Sequence, residues 1–270
     1  MNDFVENISA GIVQGDGFGS AARDYAEHRK GFPPATFDEL LRLGIGEPSQ
    51  VILDIGCGTG TLALGFAQRG CEVTGVDIDP RMLEEASRLA NNQRLEVAWL
   101  EAPAENTGLP KSTFDVITAG QCWHWFDQVK TVAECARLLK ADGKLAVCWF
   151  DWIALPNTVP GVTEALIEMH NPEWKLGGIR TRDDYYELFE STFTEHALRI
   201  VGEFDFVDDT NYTRLSWRKR VLASAGIVAL SSDKAKAFDE ELDKLLVREF
   251  GSGDLLTPHR VVTFVLAKKE

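Results

Sequence analysis

The chain lacks the features that mark several protein classes. Its five cysteines, Cys57, Cys71, Cys122, Cys135 and Cys148, form no C-x-x-C pair, which argues against both a zinc site and a disulfide framework and favours a reducing compartment. Positive charge is scarce, with 28 basic residues against 42 acidic ones and a net charge of -14. Such a field repels polyanions, so neither nucleic acid nor an anionic membrane surface is expected as a partner. No apolar run approaches the roughly 20 residues that span a bilayer. The opening Met-Asn-Asp-Phe-Val-Glu lacks the basic flank and apolar stretch of a signal peptide, so a cytoplasmic location is expected. Oligomeric state is left open.

What is present is a rhythm of short β-rich runs and helix-period segments between about residues 50 and 150. Strands are predicted at 51–55, 72–77, 95–100, 114–119 and 143–150. Met82, Ala86 and Leu89 share one helical face between them, and Val129, Val132, Ala133, Ala136 and Leu139 share another. Asp79-Pro80 starts the first of these helices, with the carboxylate at the N-cap and proline at the first helical position, and Ala141-Asp-Gly143 closes the second. This alternation specifies an α/β fold with a doubly wound, mostly parallel sheet. Upstream, Pro33-Pro34 leads into a short helix carrying Phe37, Leu40 and Leu41. Downstream, the alternating Leu198, Ile200, Phe204 and Phe206 form a strand, Ser231 opens a helix with the stripe Phe238, Leu242, Leu245 and Leu246 that Gly251 stops, and 260–266 is a last strand.

Two motifs carry chemistry. Val51-Ile-Leu-Asp-Ile-Gly-Cys-Gly-Thr-Gly60 places Asp54 two positions before a G-x-G-x-G turn, and Val73-Thr-Gly-Val-Asp77 ends the next strand in a second acid. Glycines let a backbone turn tightly and approach a ligand closely. A nicotinamide or flavin site would read G-x-G-x-x-G and would be repelled by an acid so near its phosphates. Together these residues resemble the S-adenosylmethionine pocket of class I methyltransferases. The resemblance continues through Glu101-Ala-Pro-Ala-Glu-Asn-Thr-Gly-Leu-Pro110 and Ser112-Thr-Phe-Asp-Val-Ile-Thr118. It extends to Gly120-Gln-Cys-Trp-His-Trp-Phe-Asp127, which is similar to the "HWF" branch of small-molecule methyltransferases that includes trans-aconitate methyltransferase-like enzymes.

The resemblance implies a Rossmann-like core that binds S-adenosyl-L-methionine, closed by an antiparallel last strand and carrying a helical lid insertion. Residues 1–45 would be an N-terminal helical cover and 46–150 the cofactor-binding core. Residues 151–257 would hold the rest of the core, with strand 198–206 and a substrate lid at about 213–250, and 258–270 would be the final core strand. Asp54, Gly56, Cys57 and Gly58 would form the turn under the cofactor, Asp77 would accept from both ribose hydroxyls, and Ile78 and Met82 would floor the adenine. Ala104 and Glu105 would face the adenine edge, with Pro103 standing where many relatives have an acid, and Gln121 would complete the pocket. Tyr25 and Arg29, at i and i+4 of a predicted helix, would close over the cofactor carboxylate.

On the acceptor side His124 is the catalytic candidate, able to take a proton from a hydroxyl acceptor, and equally readable as part of the pocket wall. Trp125, Phe126 and Trp152 are expected to line the opening. Trp217 and Arg218, in a local basic cluster, are candidates for holding an anionic substrate, or are paired with acids such as Asp208 and Asp209. The expected activity is methyl transfer from S-adenosylmethionine to a small molecule, at an oxygen of a carboxylate or hydroxyl. A cofactor-binding protein without transfer activity, and a methyltransferase acting on a protein, remain alternatives.

Overall fold

The computed structural model describes residues 30–174, 181–194 and 197–269. Seven strands form one sheet: β1 (Val51–Ile55), β2 (Glu72–Asp77), β3 (Val97–Glu101), β4 (Phe114–Gly120), β5 (Leu139–Trp152), β6 (Leu198–Tyr212) and β7 (Leu255–Lys268). Their order across the sheet is β3-β2-β1-β4-β5-β7-β6. All pairings from β3 through β5 are parallel. The backbone bond from Lys269 to Ala197 near one end, and the bond from the Thr257 hydroxyl to the Thr210 carbonyl near the other, show that β7 and β6 run in opposite directions. This is the doubly wound, Rossmann-like arrangement, with the chain order reversing beside β1.

The described chain divides into two compact units. The α/β unit comprises 31–150, 185–205 and 261–269. Its central strand β1 is apolar except for Asp54, and Ile52, Leu53 and Ile55 are fully buried, as expected of a strand covered on both faces. Helices α1 (Pro34–Arg42), α2 (Thr61–Ala67), α3 (Pro80–Gln93), α4 (Gln128–Leu138) and, further along the chain, α6 (Arg182–Thr194) accompany the strands. Asp79 caps α3 by accepting from the Arg81 amide, with Pro80 at the first position. In α1, Phe37 and Leu40 are buried whereas Leu41 faces solvent.

Two expectations are corrected. In α4 the buried face is Thr131, Val132, Glu134, Cys135 and Leu138, while Val129 and Ala133 are exposed. The helix is rotated because Glu134 can enter the interior fully satisfied: its carboxylate accepts from the Thr107 amide at 3.0 Å and hydroxyl at 2.8 Å and pairs with Arg137 at 2.7 Å. The helix also ends at Leu138, and Ala141-Asp-Gly143 lies within β5. There the register jumps from Phe114 opposite Leu139 to Val116 opposite Lys144, so the turn-forming residues make an irregularity at the start of a strand.

The helical unit comprises 151–174, 181–184 and 206–260. It contains α5 (Val159–His170), α7 (Arg214–Leu222), the four-residue α8 (Ala225–Val228) and α9 (Ser232–Phe250). Its core joins Leu166 and Ile167 of α5, Trp217 and Val221 of α7, and Phe238, Leu242 and Leu246 of α9. Gly251 stops α9, as the sequence indicates. All five cysteines are free and buried.

Gly75 in β2 is a packing constraint beside the glycine turn that follows β1. A β-carbon there would lie 2.4 Å from the Trp99 ring and 3.0 Å from the Cys57 sulfur. Gly75→Ala is therefore expected to destabilise the protein by about 1–3 kcal/mol through overpacking. Urea denaturation checks this, and an unchanged midpoint would show that Trp99 has room to move.

Candidate functional site

The site is built where β1, β2 and β4 end. Between β1 and α2 the chain turns through Gly56, Gly58 and Gly60 with φ of 59°, 53° and 83°, all in the left-handed region that glycine tolerates. Gly56 has no room for a side chain, since a β-carbon would fall 2.8 Å from the tip of Phe126 and 2.9 Å from Cys122. At Gly58, by contrast, no described residue comes within 4 Å of where a β-carbon would lie. One glycine is thus needed for close packing and the next leaves a bare backbone surface.

Asp77, the last residue of β2, fixes that surface. Its carboxylate accepts from the Gly58 amide at 2.8 Å and from the Asp79 amide at 3.0 Å, so one side chain ties the turn after β1 to the turn after β2. Each oxygen retains acceptor capacity beyond its one amide. Burial raises the Asp77 carboxyl above its usual range, partly offset by these amides. Next to it Ile78 is 70% exposed, an apolar side chain held out at the edge of the site, and Met82 is buried behind.

Asp54 sits beneath the turn and is only 1% exposed. Its oxygens accept from the Thr118 hydroxyl of β4 at 2.7 Å and from the Ala63 amide of α2 at 3.2 Å. Its place is therefore to brace strand, turn and helix from inside. Burial pushes its carboxyl up to about 7, against the opposing effect of the Thr118 and Ala63 bonds. Cys57 is buried beside it, donates its amide to the Val76 carbonyl at 3.0 Å, and has a thiol pushed well up by burial and the neighbouring carboxylates.

The other predicted residues fall into place around this frame or away from it. Ala104 is buried, and Glu105 accepts from the Asp127 amide at 2.9 Å, binding the loop after β3 to the start of α4. Gln121 has φ of 65°, donates its amide to the Cys148 carbonyl at 2.9 Å and its side-chain nitrogen to the Phe150 carbonyl, which locks the end of β4 to β5. The short 3-10 turn Trp123–Trp125 follows. Trp123 is fully buried with its ring edge-on to Phe126, while the half-buried His124 packs on Trp125 with ring centres 4.7 Å apart. Phe126, through its contact with Gly56, is a wall of the site. Tyr25 and Arg29 lie outside the described residues.

Three of the residues expected in the acceptor region, Trp152, Trp217 and Arg218, belong to the helical unit. Trp217 is fully buried, and its indole N–H donates to the Thr163 hydroxyl at 3.0 Å, so it is core and not a contact surface. Arg218 is taken up by Asp239, with bonds of 2.7 and 2.6 Å, and by Asp243 at 2.8 Å. Its acids are on α9 and not at 208 and 209. The Trp152 indole donates to buried Glu164 at 2.6 Å, and the Trp174 indole donates to the other oxygen of Glu164 at 2.8 Å. Sequence reasoning missed Thr118, Trp99 and Glu164. Only Thr118, a hydroxyl in an otherwise apolar strand, left a signal.

Residues 53–147 match the family model of the methyltransferase domain. An uncharacterised methyltransferase of Mycobacterium tuberculosis is 35% identical over 132 residues, covering 49% of this chain and 51% of that protein. The chain thus spans about half the length of such curated relatives. A Dictyostelium discoideum protein named as a methyltransferase is 26% identical over 267 residues, 94% of this chain and 95% of its own. Among solved structures, a type II methyltransferase from Anaeromyxobacter dehalogenans superposes with a TM-score of 0.63 at 19% identity, covering 89% of this chain and 97% of that one. The last likeness is one of fold. The matched segment contains the end of β1, β2 through β4, the glycine turn, Asp54 and Asp77.

Asp54 makes stability depend on pH with a definite sign. Its folded value of about 7 exceeds the ordinary 3.8, so between these values the unfolded chain releases a proton that the folded one keeps. Stability is therefore lost as pH rises from about 4 to about 7, by up to roughly 4 kcal/mol from this group. Asp54→Asn should remove the loss, so its stability relative to the wild type improves across that window. Urea denaturation at several pH values measures the difference, and parallel profiles would contradict the burial described.

Proposed function

We propose that the protein transfers the methyl group of S-adenosyl-L-methionine to an oxygen, of a carboxylate or hydroxyl, on a small molecule. The observation that carries this reading is the Asp77 carboxylate. It stands at the carboxyl end of β2, anchored by two backbone amides with acceptor capacity to spare, beside a bare glycine surface and an exposed isoleucine. A ribose diol needs a charged double acceptor, an adenine ring needs an apolar floor, and an amino-acid tail needs a backbone without side chains. Asp77, Ile78 with Met82, and Gly56–Gly58 supply these in order. The match of residues 53–147 to the methyltransferase domain supports the same reading.

The cofactor supplies an activated methyl group on a positive sulfur, and the chain's own residues have to position, shield and select. Asp77 orients the nucleoside. Gly58 admits its tail, with Ala104, Glu105 and Gln121 in supporting places, and Arg29 and Tyr25 are assigned to the carboxylate end. Phe126 and Trp125 exclude water from the reacting centre, which keeps the transfer from being lost to hydrolysis. Asp54 acts from below as a positioning residue and contributes negative charge under a cationic ligand. For a hydroxyl acceptor His124 takes the proton, whereas a carboxylate acceptor requires no base. This arrangement fits the "HWF" type of small-molecule enzyme, in a soluble protein of the cytoplasm with no nucleic-acid or membrane partner.

Asp77→Asn is the direct test. Replacing a charged acceptor should weaken S-adenosylmethionine and S-adenosylhomocysteine binding at least tenfold, since a hydrogen bond to a charged group contributes about 1.5–3 kcal/mol. Titration calorimetry on the folded variant reads this. Wild-type affinity in the variant would remove Asp77 from the ribose, and no binding to the wild-type protein would end the proposal.

A further inference from the structure

The basic run on α7 contains a second arginine, and its circumstances are the reverse of those of Arg218. Arg220 is 8% exposed, and its guanidinium carbon lies 4.8 Å above the centre of the Trp152 ring. Among the described residues its planar group has no hydrogen-bond or ion-pair partner. Buried guanidinium groups are otherwise paired, because an uncompensated charge in the interior is costly.

The surroundings say what kind of ion. Asp151 and Glu164 are the acids near enough to favour the charged form of Arg220, together with the Tyr212 hydroxyl, but neither acid closes on it. Glu164 is instead held by the indoles of Trp152 and Trp174. The guanidinium is thus stacked, oriented and left with a free donor fork, the geometry that recognises a planar carboxylate bidentately. Two carboxylates of the same sign nearby disfavour a dianion such as phosphate more than a singly charged carboxylate. Burial lowers the Arg220 pKa, which is the signature of a cation lacking a counter-ion and would be relieved by one.

We infer that Arg220, stacked on Trp152 in the helical unit, is a binding site for the carboxylate of a small organic acid. This assignment stands independently of the transfer reading.

The test uses the full chain, Arg220→Met to remove the charge while keeping the stem, and Arg220→Lys to keep the charge without the fork. Binding is read by calorimetry against a panel of aliphatic and aromatic mono- and dicarboxylic acids, with the corresponding neutral amides and inorganic phosphate as controls. At least one acid should bind the wild type, its amide and phosphate should bind at least tenfold more weakly, Arg220→Met should lose at least tenfold in affinity, and Arg220→Lys should fall between. S-adenosylhomocysteine should bind all three proteins alike. Without ligand, Arg220→Met should melt no lower than the wild type, because no partner is stranded. Absence of any acid binding to the wild type, equal binding to Arg220→Met, preference for phosphate, or a lower melting temperature of Arg220→Met with acid binding retained would each overturn the assignment. Failure of S-adenosylhomocysteine to bind, with acid binding still dependent on Arg220, would overturn the transfer reading instead and leave this one standing.

Discussion

One carboxylate holds the candidate site in shape. Asp77 accepts an amide from each of two turns that are distant in sequence, and without it the Gly58 N–H would have to find another partner in a region that burial has largely dried. Because Gly58 carries no side chain, the position of this backbone is set by that bond and not by packing. The turn itself is possible only because Gly56 lets Phe126 and Cys122 come against the main chain. Apolar contact on one side and a charged hydrogen bond on the other therefore define a surface of backbone atoms whose location neither could fix alone.

The two units carry opposite chemistry. The α/β unit concentrates acids, Asp54 within and Asp77 at the edge, both with carboxyls raised by burial. Such groups are at their most stable next to a positive ligand. The helical unit instead holds a buried cation over an indole, with the neighbouring Glu164 occupied by that same indole of Trp152 and by the indole of Trp174. A net charge of -14 makes that isolated positive position more selective, since anions are disfavoured nearly everywhere else on the chain.

Much of the α/β unit was legible because local and global signals agreed. β1 and β2 have the predicted bounds, since each apolar run stops at a residue that has a reason to stop it: Gly56 after one, Asp77 at the end of the other. The cap at Asp79-Pro80 and the ends of α9 at Ser231 and Gly251 followed from side-chain chemistry within one turn. What failed depended on distant partners. Glu134 reads as a surface residue until Thr107 and Arg137 are seen to satisfy it, and this turned α4 away from its apolar pattern. Arg218 and Arg220 are two places apart in one basic run, yet Asp239 and Asp243 claim the first and nothing claims the second. No periodicity in the sequence distinguishes them. Asp54 was rightly singled out, but its inward direction, toward Thr118, comes from the pairing of β1 with β4.

The five cysteines have a practical corollary. All are free and buried, and burial raises the thiols of Cys57, Cys71, Cys135 and Cys148, to about 11 for Cys71 and about 12 for Cys148. Thiolate is the reactive form, so the native protein offers alkylating reagents almost nothing to attack. Labelling by such a reagent would then report how often the interior opens around each cysteine, a clock that needs no introduced probe.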